Sequence, residues 1–129
     1  MMKKIRIALA VVMILTIAAA TLVGCGLFKD ISFDDAKTNL ENAGYTVVVM
    51  TGEEYVETED AYPTILSTEL VKCLHAVKGN EEIRIFVFNT IDHASNNYSF
   101  MSDNKLTTTG QSNEVVYLAT KQAKKDAQI

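Results

Sequence analysis

The spacing of apolar residues changes character along the chain. Residues 7–23 (IALAVVMILTIAAATLV) form one uncharged run with no polar face. From Asp30 onward the apolar positions fall into short periodic pieces. Phe33, Ala36, Leu40 and Ala43 recur at helical spacing. Ser32 is a good N-cap ahead of them, Asp34 and Asp35 suit the positive end of the helix dipole, and Gly44 supplies a stop. A first helix over 33–43 is expected. Tyr45–Met50 is β-branched and aromatic and reads as a strand. Residues 52–66 hold five carboxylates and the only proline, Pro63, and read as a loop.

Leu70–Val77 and Glu82–Phe88 read as two strands joined by Lys78-Gly79-Asn80-Glu81, whose turn residues predict a hairpin. Ile83, Ile85 and Val87 lie on one face of the later strand, and Arg84, Phe86 and Phe88 on the other, which suits a central strand. Asn89-Thr90 offers a cap, and Ile91, Ala94, Tyr98 and Met101 predict a helix over 91–102. Residues 103–113 are polar and turn-like. Val115–Leu118 reads as a fourth strand, and Thr120 caps a short final helix over 121–127. The order is α-β-β-β-α-β-α. It implies an α+β fold, a small antiparallel sheet of about four strands with helices packed on one face.

Composition sharpens this once the chain is divided. The 129 residues carry a formal net charge of −4. Residues 1–24 contain Lys3, Lys4 and Arg6 and no acid, which leaves nine bases against sixteen acids, or −7, from Cys25 onward. Such an acidic balance argues against nucleic acid as a partner. A basic start, an apolar run and a small residue before a break describe a secretory signal peptide. A membrane-spanning helix competes with it, and the uncharged run sits at the short end of the required length.

Leu22-Val23-Gly24-Cys25 resembles the lipobox of bacterial lipoproteins: an aliphatic residue, a small or β-branched one, Gly or Ala, then Cys. The resemblance implies that Leu22, Val23 and Gly24 are read by a dedicated signal peptidase. It also implies that Cys25 receives a covalent diacylglycerol and becomes the first mature residue. The expected organisation is a signal segment over 1–24 that includes the apolar helix, a lipidated Cys25 with a short tether over 25–31, and one α+β domain over 32–129. Two acyl chains suffice for stable anchoring at about 0.8 kcal/mol per buried methylene, where one chain binds marginally. A tether of five or six residues at about 3.5 Å each spans roughly 20 Å. The domain would lie near the headgroups, on the extracytoplasmic face of a bacterial membrane.

Candidate chemistry in the remainder is sparse. Cys73 and His75 share a strand face, and His93 opens the second helix. They are the only soft ligands after Cys25, and a zinc site usually needs three or four. The competing reading is a buried thiol and two ordinary histidines. Glu53, Glu54, Glu57, Glu59 and Asp60 cluster in the acidic loop, but the EF-hand pattern and its turn glycine are missing. Asp92, His93 and Ser95 are too close in sequence to face one another on a helix. No nucleophile elbow, P-loop, dinucleotide fingerprint or zincin motif is present. These readings lead to an expectation of no catalytic residues, no enzyme activity and no cofactor beyond the lipid. Lys121, Lys124 and Lys125 read as a solvated helix face or a contact to anionic headgroups.

Asp35-Ala36-Lys37, Leu40 and Ala43-Gly44-Tyr45-Thr46-Val47 resemble the helix-to-strand opening of a PASTA module, a family that binds cell-wall peptide. The likeness covers about a dozen residues. The acidic loop and the later hairpin–helix–strand order depart from the family, so its function is not carried over. The whole also resembles the small lipoproteins of low-GC Gram-positive bacteria. The expected function is a membrane-anchored, non-catalytic binding module whose partner is an envelope protein or cell-wall component. The alternatives are a solute-binding accessory of a transporter and a small metal-binding envelope protein.

Overall fold

The computed structural model describes residues 30–129. Helix α1 (Phe33–Asn42) begins at Ser32, whose Oγ accepts from the Asp35 N–H, and ends at Gly44, which turns the chain with φ +92°. Strand β1 (Thr46–Thr51) leads directly into helix α2 (Gly52–Val56). Then come β2 (Leu70–Lys78), β3 (Glu81–Phe88), helix α3 (Ile91–Tyr98), β4 (Thr108–Ser112), β5 (Val115–Ala119) and helix α4 (Lys121–Ala127). All five strands pair antiparallel, in the order β1-β2-β3-β5-β4.

Two apolar layers lie on opposite faces of this sheet. On one face Leu74, Ala76, Ile83, Ile85, Val115, Tyr117 and Ala119 pack against Phe33, Ala36 and Leu40 of α1 and Ala123 and Ala127 of α4. The two helices are tied together there. Tyr45 Oη donates to Asp126 Oδ2 at 2.7 Å, and Asn39 Nδ2 donates to the Ala127 carbonyl at 3.1 Å. On the other face Cys73, Phe86, Phe88, Val116 and Leu118 are covered by Tyr55 of α2, Ala94 of α3, and Ile65, Met101 and Leu106 from the long connections.

Three expectations are corrected. Helices cover both faces, not one, because β3 and β5 are apolar on both sides; all five residues of β5 are buried. Two bare layers of that size cannot face water without losing their burial. A fifth strand, β4, occupies 108–112, within the segment expected to be turn-like; it is a polar edge whose register is set by pairing with β5. Residues 52–56 are helical, not loop. Thr51 Oγ1 accepts from the Glu54 N–H while Glu54 Oε1 accepts from the Thr51 N–H, a reciprocal cap that starts α2 inside the acidic stretch. The element order is therefore α-β-α-β-β-α-β-β-α.

Boundaries shift by small amounts, with α3 ending at Tyr98 although Met101 remains buried in the turn that follows. Thr120 stands at the N-cap of α4 but makes no capping bond; its Oγ1 accepts from the Glu82 N–H at 3.2 Å, joining the helix start to β3.

Candidate functional site

The most concentrated chemistry among the described residues lies at the polar end of the second face. The β2–β3 hairpin pairs His75 with Arg84, and alternation puts Glu82 on the same side. His75 Nε2 lies 2.8 Å from Glu82 Oε2. Arg84 Nε donates to that same oxygen at 3.3 Å, and Lys105 Nζ lies 3.3 Å from Glu82 Oε1. The other arm of the guanidinium donates to Asp60 Oδ2 at 2.8 Å. Glu82 and Arg84 are mostly buried, with side chains 12% and 15% exposed, whereas Asp60 and Lys105 are exposed.

Electrostatics in the cluster follow from this packing. Burial alone would raise the Glu82 carboxyl, but hydrogen bonds from His75 and Lys105 and the charges of His75 and Arg84 hold it below the ordinary glutamate range. The hydrogen bond from Arg84 lowers the Asp60 carboxyl against a smaller opposing effect of burial. Burial would lower Arg84, and its bond and charge contact with Asp60, reinforced by Glu82, keep it raised. The cluster ties two irregular connections to the sheet, residues 57–69 through Asp60 and residues 99–107 through Lys105. Tyr62 adds a second tie, its hydroxyl donating to the Ser102 carbonyl at 3.2 Å and its N–H donating to Tyr55 Oη at 3.0 Å.

Cys73 lies beneath this cluster, at the wall of a recess of about 30 Å³ shared with Tyr55, Asp60, His75, Arg84 and Phe86. The thiol is 2% exposed, and burial pushes it up to about 12. A thiol in that state is a poor nucleophile, because the thiolate is the reactive form. His93 stands apart on α3, with Nδ1 2.6 Å from Asn89 Oδ1. Among the described residues no group of three His, Cys, Asp or Glu side chains is arranged to hold a metal ion. Cys73 and His75 line one recess, with His75 bonded to Glu82, while His93 stands elsewhere beside Asn89.

The acidic stretch is also divided among roles. Glu54 caps α2, Asp60 pairs with Arg84, and Glu53, Glu57 and Glu59 point to solvent. Lys124 lies over the Tyr117 ring at 5.6 Å, while Lys121 is exposed. Leu22, Val23, Gly24 and Cys25 lie outside the described residues. No helix among the described residues is long and apolar enough to cross a membrane.

The Glu82–Arg84 pair was missed in the sequence, although a signal was there. A two-residue turn at Gly79-Asn80 sets 78 opposite 81 and hence 75 opposite 84. That places a histidine, a glutamate and an arginine on one patch. No local pattern announces Asp60 or Lys105, which reach the patch from distant connections.

A second concavity, about 370 Å³, runs between α1 and the chain's end and is lined by Ile31, Ser32, Asp35, Ala36, Asn39 and Ile129. Among the described residues, its lining has no aromatic ring and no buried charge faces it. The class defined by this geometry is a three-layer α/β/α sandwich whose polar cluster clamps two connections to a sheet. Comparisons with protein-family models, curated proteins and solved structures find no match to this chain.

Proposed function

We propose that this protein is a bacterial lipoprotein, held by a diacylglycerol on Cys25 at the extracytoplasmic face of a membrane, where its folded domain acts as a non-catalytic interaction module. The single observation that carries the reading is Leu22-Val23-Gly24-Cys25 closing an uncharged run that follows Lys3, Lys4 and Arg6. The fold adds support from the other side of the join. Helix α1 opens at Phe33, so few residues separate the anchor from packed structure. A domain of charge −7 gains little from anionic headgroups, and this leaves attachment to the acyl chains.

The non-catalytic part rests on how the reactive groups are used. The Cys73 thiol is buried and protonated, His75 is paired with Glu82, and His93 with Asn89. Replacing Cys25 with Ala tests the anchor. The wild-type chain is expected in the membrane fraction, with a mass increased by at least one diacylglyceryl group over the chain beginning at Cys25. The variant is expected to keep its signal segment and to lose lipid labelling. A variant that remains membrane-bound at the wild-type mass, with labelling unchanged, would overturn the reading. Affinity capture with the intact chain from envelope extracts then addresses the partner.

A further inference from the structure

The chain enters the domain at one end of the sheet. Asn113, in the β4–β5 turn, donates from Nδ2 to Asp30 Oδ1 at 2.7 Å, and Lys72 Nζ lies 4.4 Å from the centroid of the Phe33 ring. Residue 30 therefore lies at the end where β2 begins and β3 finishes. The β2–β3 turn marks the opposite end. The nine residues of β2, at about 3.3 Å per step, set that turn roughly 26 Å away.

Three exposed apolar side chains share the entry end. Leu66, Val71 and Ile91 are 54%, 52% and 49% exposed. Val71 is the extra residue of a bulge, between Leu70 opposite Phe88 and Lys72 opposite Val87, and so stands opposite no residue of β3. The Leu66 carbonyl accepts from the Glu69 and Leu70 N–H groups. The Glu69 carbonyl accepts from the Asn89 N–H, just ahead of Ile91. Backbone bonds thus hold the three stretches together at the foot of the sheet.

We propose that this end of the domain rests on the lipid interface of the membrane that holds its anchor, with Leu66, Val71 and Ile91 at the headgroup boundary. The contact depends on the lipid at Cys25, and the reach of the chain selects the occupant. From Cys25 to Asp30 the chain spans at most about 18 Å. An inverted domain would lift Asp30 roughly 26 Å off the surface, beyond that reach. Standing on the entry end takes three apolar side chains out of water beside the point of attachment. Lying on the β1 edge would instead cover two, Val48 and Val49.

Charge decides which lipid suits this end. Asp34, Asp35, Glu53, Glu54, Asp92 and Glu114 are exposed around it, and Asp30 is bonded to Asn113 and Glu69 to Asn97. Against them stand Lys72 and, in the sequence, Lys29. Five of the exposed acids lie in first turns of helices, where the dipole offsets part of their charge. Carboxylates suit the outward ammonium groups of zwitterionic lipid and are repelled by anionic headgroups. The contact is therefore with a zwitterionic interface. Its intrinsic affinity can be low, because the tether keeps lipid close.

The chain holds no tryptophan, so single-tryptophan variants of the full-length lipidated protein read the contact. Val71→Trp and Ile91→Trp report the entry end, Val48→Trp the β1 edge and Asn80→Trp the far turn. Each is placed in phosphatidylcholine vesicles that contain a lipid with a nitroxide on its headgroup, after circular dichroism matches the parent. Mass spectrometry first reads the lipid on Cys25; a chain without it overturns the anchor and this contact together. The pull of tryptophan toward an interface is common to all four variants. With the anchor in place, quenching at positions 71 and 91 is expected to exceed that at 48 and 80 by at least about threefold, since an interfacial contact is only about 5–10 Å deep. Adding phosphatidylglycerol is expected to weaken it, and Val71→Asp is expected to remove most of it from the Ile91→Trp chain. Equal quenching at all four positions, or stronger quenching at 48 or 80, overturns the contact while leaving the anchor intact. Quenching at 71 and 91 that rises with phosphatidylglycerol, or that Val71→Asp leaves unchanged, overturns it too.

Discussion

Glu82 is the residue on which the polar cluster turns, since Arg84, Lys105 and the His75 imidazole converge on its two oxygens. Glu82→Gln keeps the shape and removes the charge. Loss of a mostly buried, hydrogen-bonded carboxylate is expected to cost about 1–3 kcal/mol at neutral pH, as paired charges left behind lose their partner. The pH dependence follows from the direction of the shift. Because the folded carboxyl sits below its ordinary value, its contribution is complete above the usual glutamate range and disappears as pH falls through the folded pKa. Urea unfolding of both chains from pH 7 to pH 3 should show the gap closing on acidification; a gap that widens would refute the assignment. Gly52 gives a prediction of opposite sign to helix propensity. Alanine is the better helix former, yet a Cβ at position 52 would stand 2.0 Å from the Leu70 carbonyl oxygen. The backbone of β2 cannot give way cheaply, so Gly52→Ala is expected to destabilise the domain by about 1–3 kcal/mol or more. A melting temperature at or above wild type would show that α2 is not held against β2 as described.

At the scale of elements, legibility followed the reach of the forces involved. α1, β1, the β2–β3 hairpin, β5 and α4 were readable because each has its own period, cap or turn within a few residues. The hairpin even carried the His75–Arg84 juxtaposition in its turn length. α2 was hidden although its capping box, Thr51 to Glu54, stands openly in the chain. Five residues are too short for a helical period, and burial of Tyr55 against Phe86, with ring centroids 5.2 Å apart, supplies the stability that propensity does not. β4 was hidden because Thr-Thr-Gly-Gln-Ser has no apolar alternation. It is a strand because β5 needs a neighbour, and because Gly110 leaves room for the Tyr117 ring, which a Cβ there would meet at 2.6 Å. The error over the covered faces was avoidable. Apolar residues on both sides of β3 already required a layer on each. Asp60 and Lys105 could not have been found, since their partners are 24 and 23 positions away along the chain and no local pattern encodes that distance.

At the largest scale, the described residues form one sheet carrying two apolar layers of unlike construction. The first is made by α1 and α4, closed by Tyr45 on Asp126 and Asn39 on Ala127. The second is made by short helices and long connections, closed by the Glu82–Arg84–Asp60 cluster. Layers held by irregular segments belong to the low-stability end of a domain and open before the sheet does. Cys73 reports that opening, because it lies under the second layer, 2% exposed, with its thiol pushed up to about 12 and so almost wholly protonated near neutrality. In a Cys25→Ala background, alkylation of Cys73 in native buffer should be slow, limited by release of the second layer. Glu82→Gln should then speed labelling by about tenfold for each 1.4 kcal/mol it costs. Tyr45→Phe removes the tie to Asp126 in the first layer, and it should leave the labelling rate nearly unchanged even as it lowers global stability. If both variants accelerate labelling in proportion to their effect on unfolding, the thiol is reached only through the globally unfolded chain. In that case the two layers form a single cooperative unit, and the polar cluster is one contributor to its stability instead of a latch for one side.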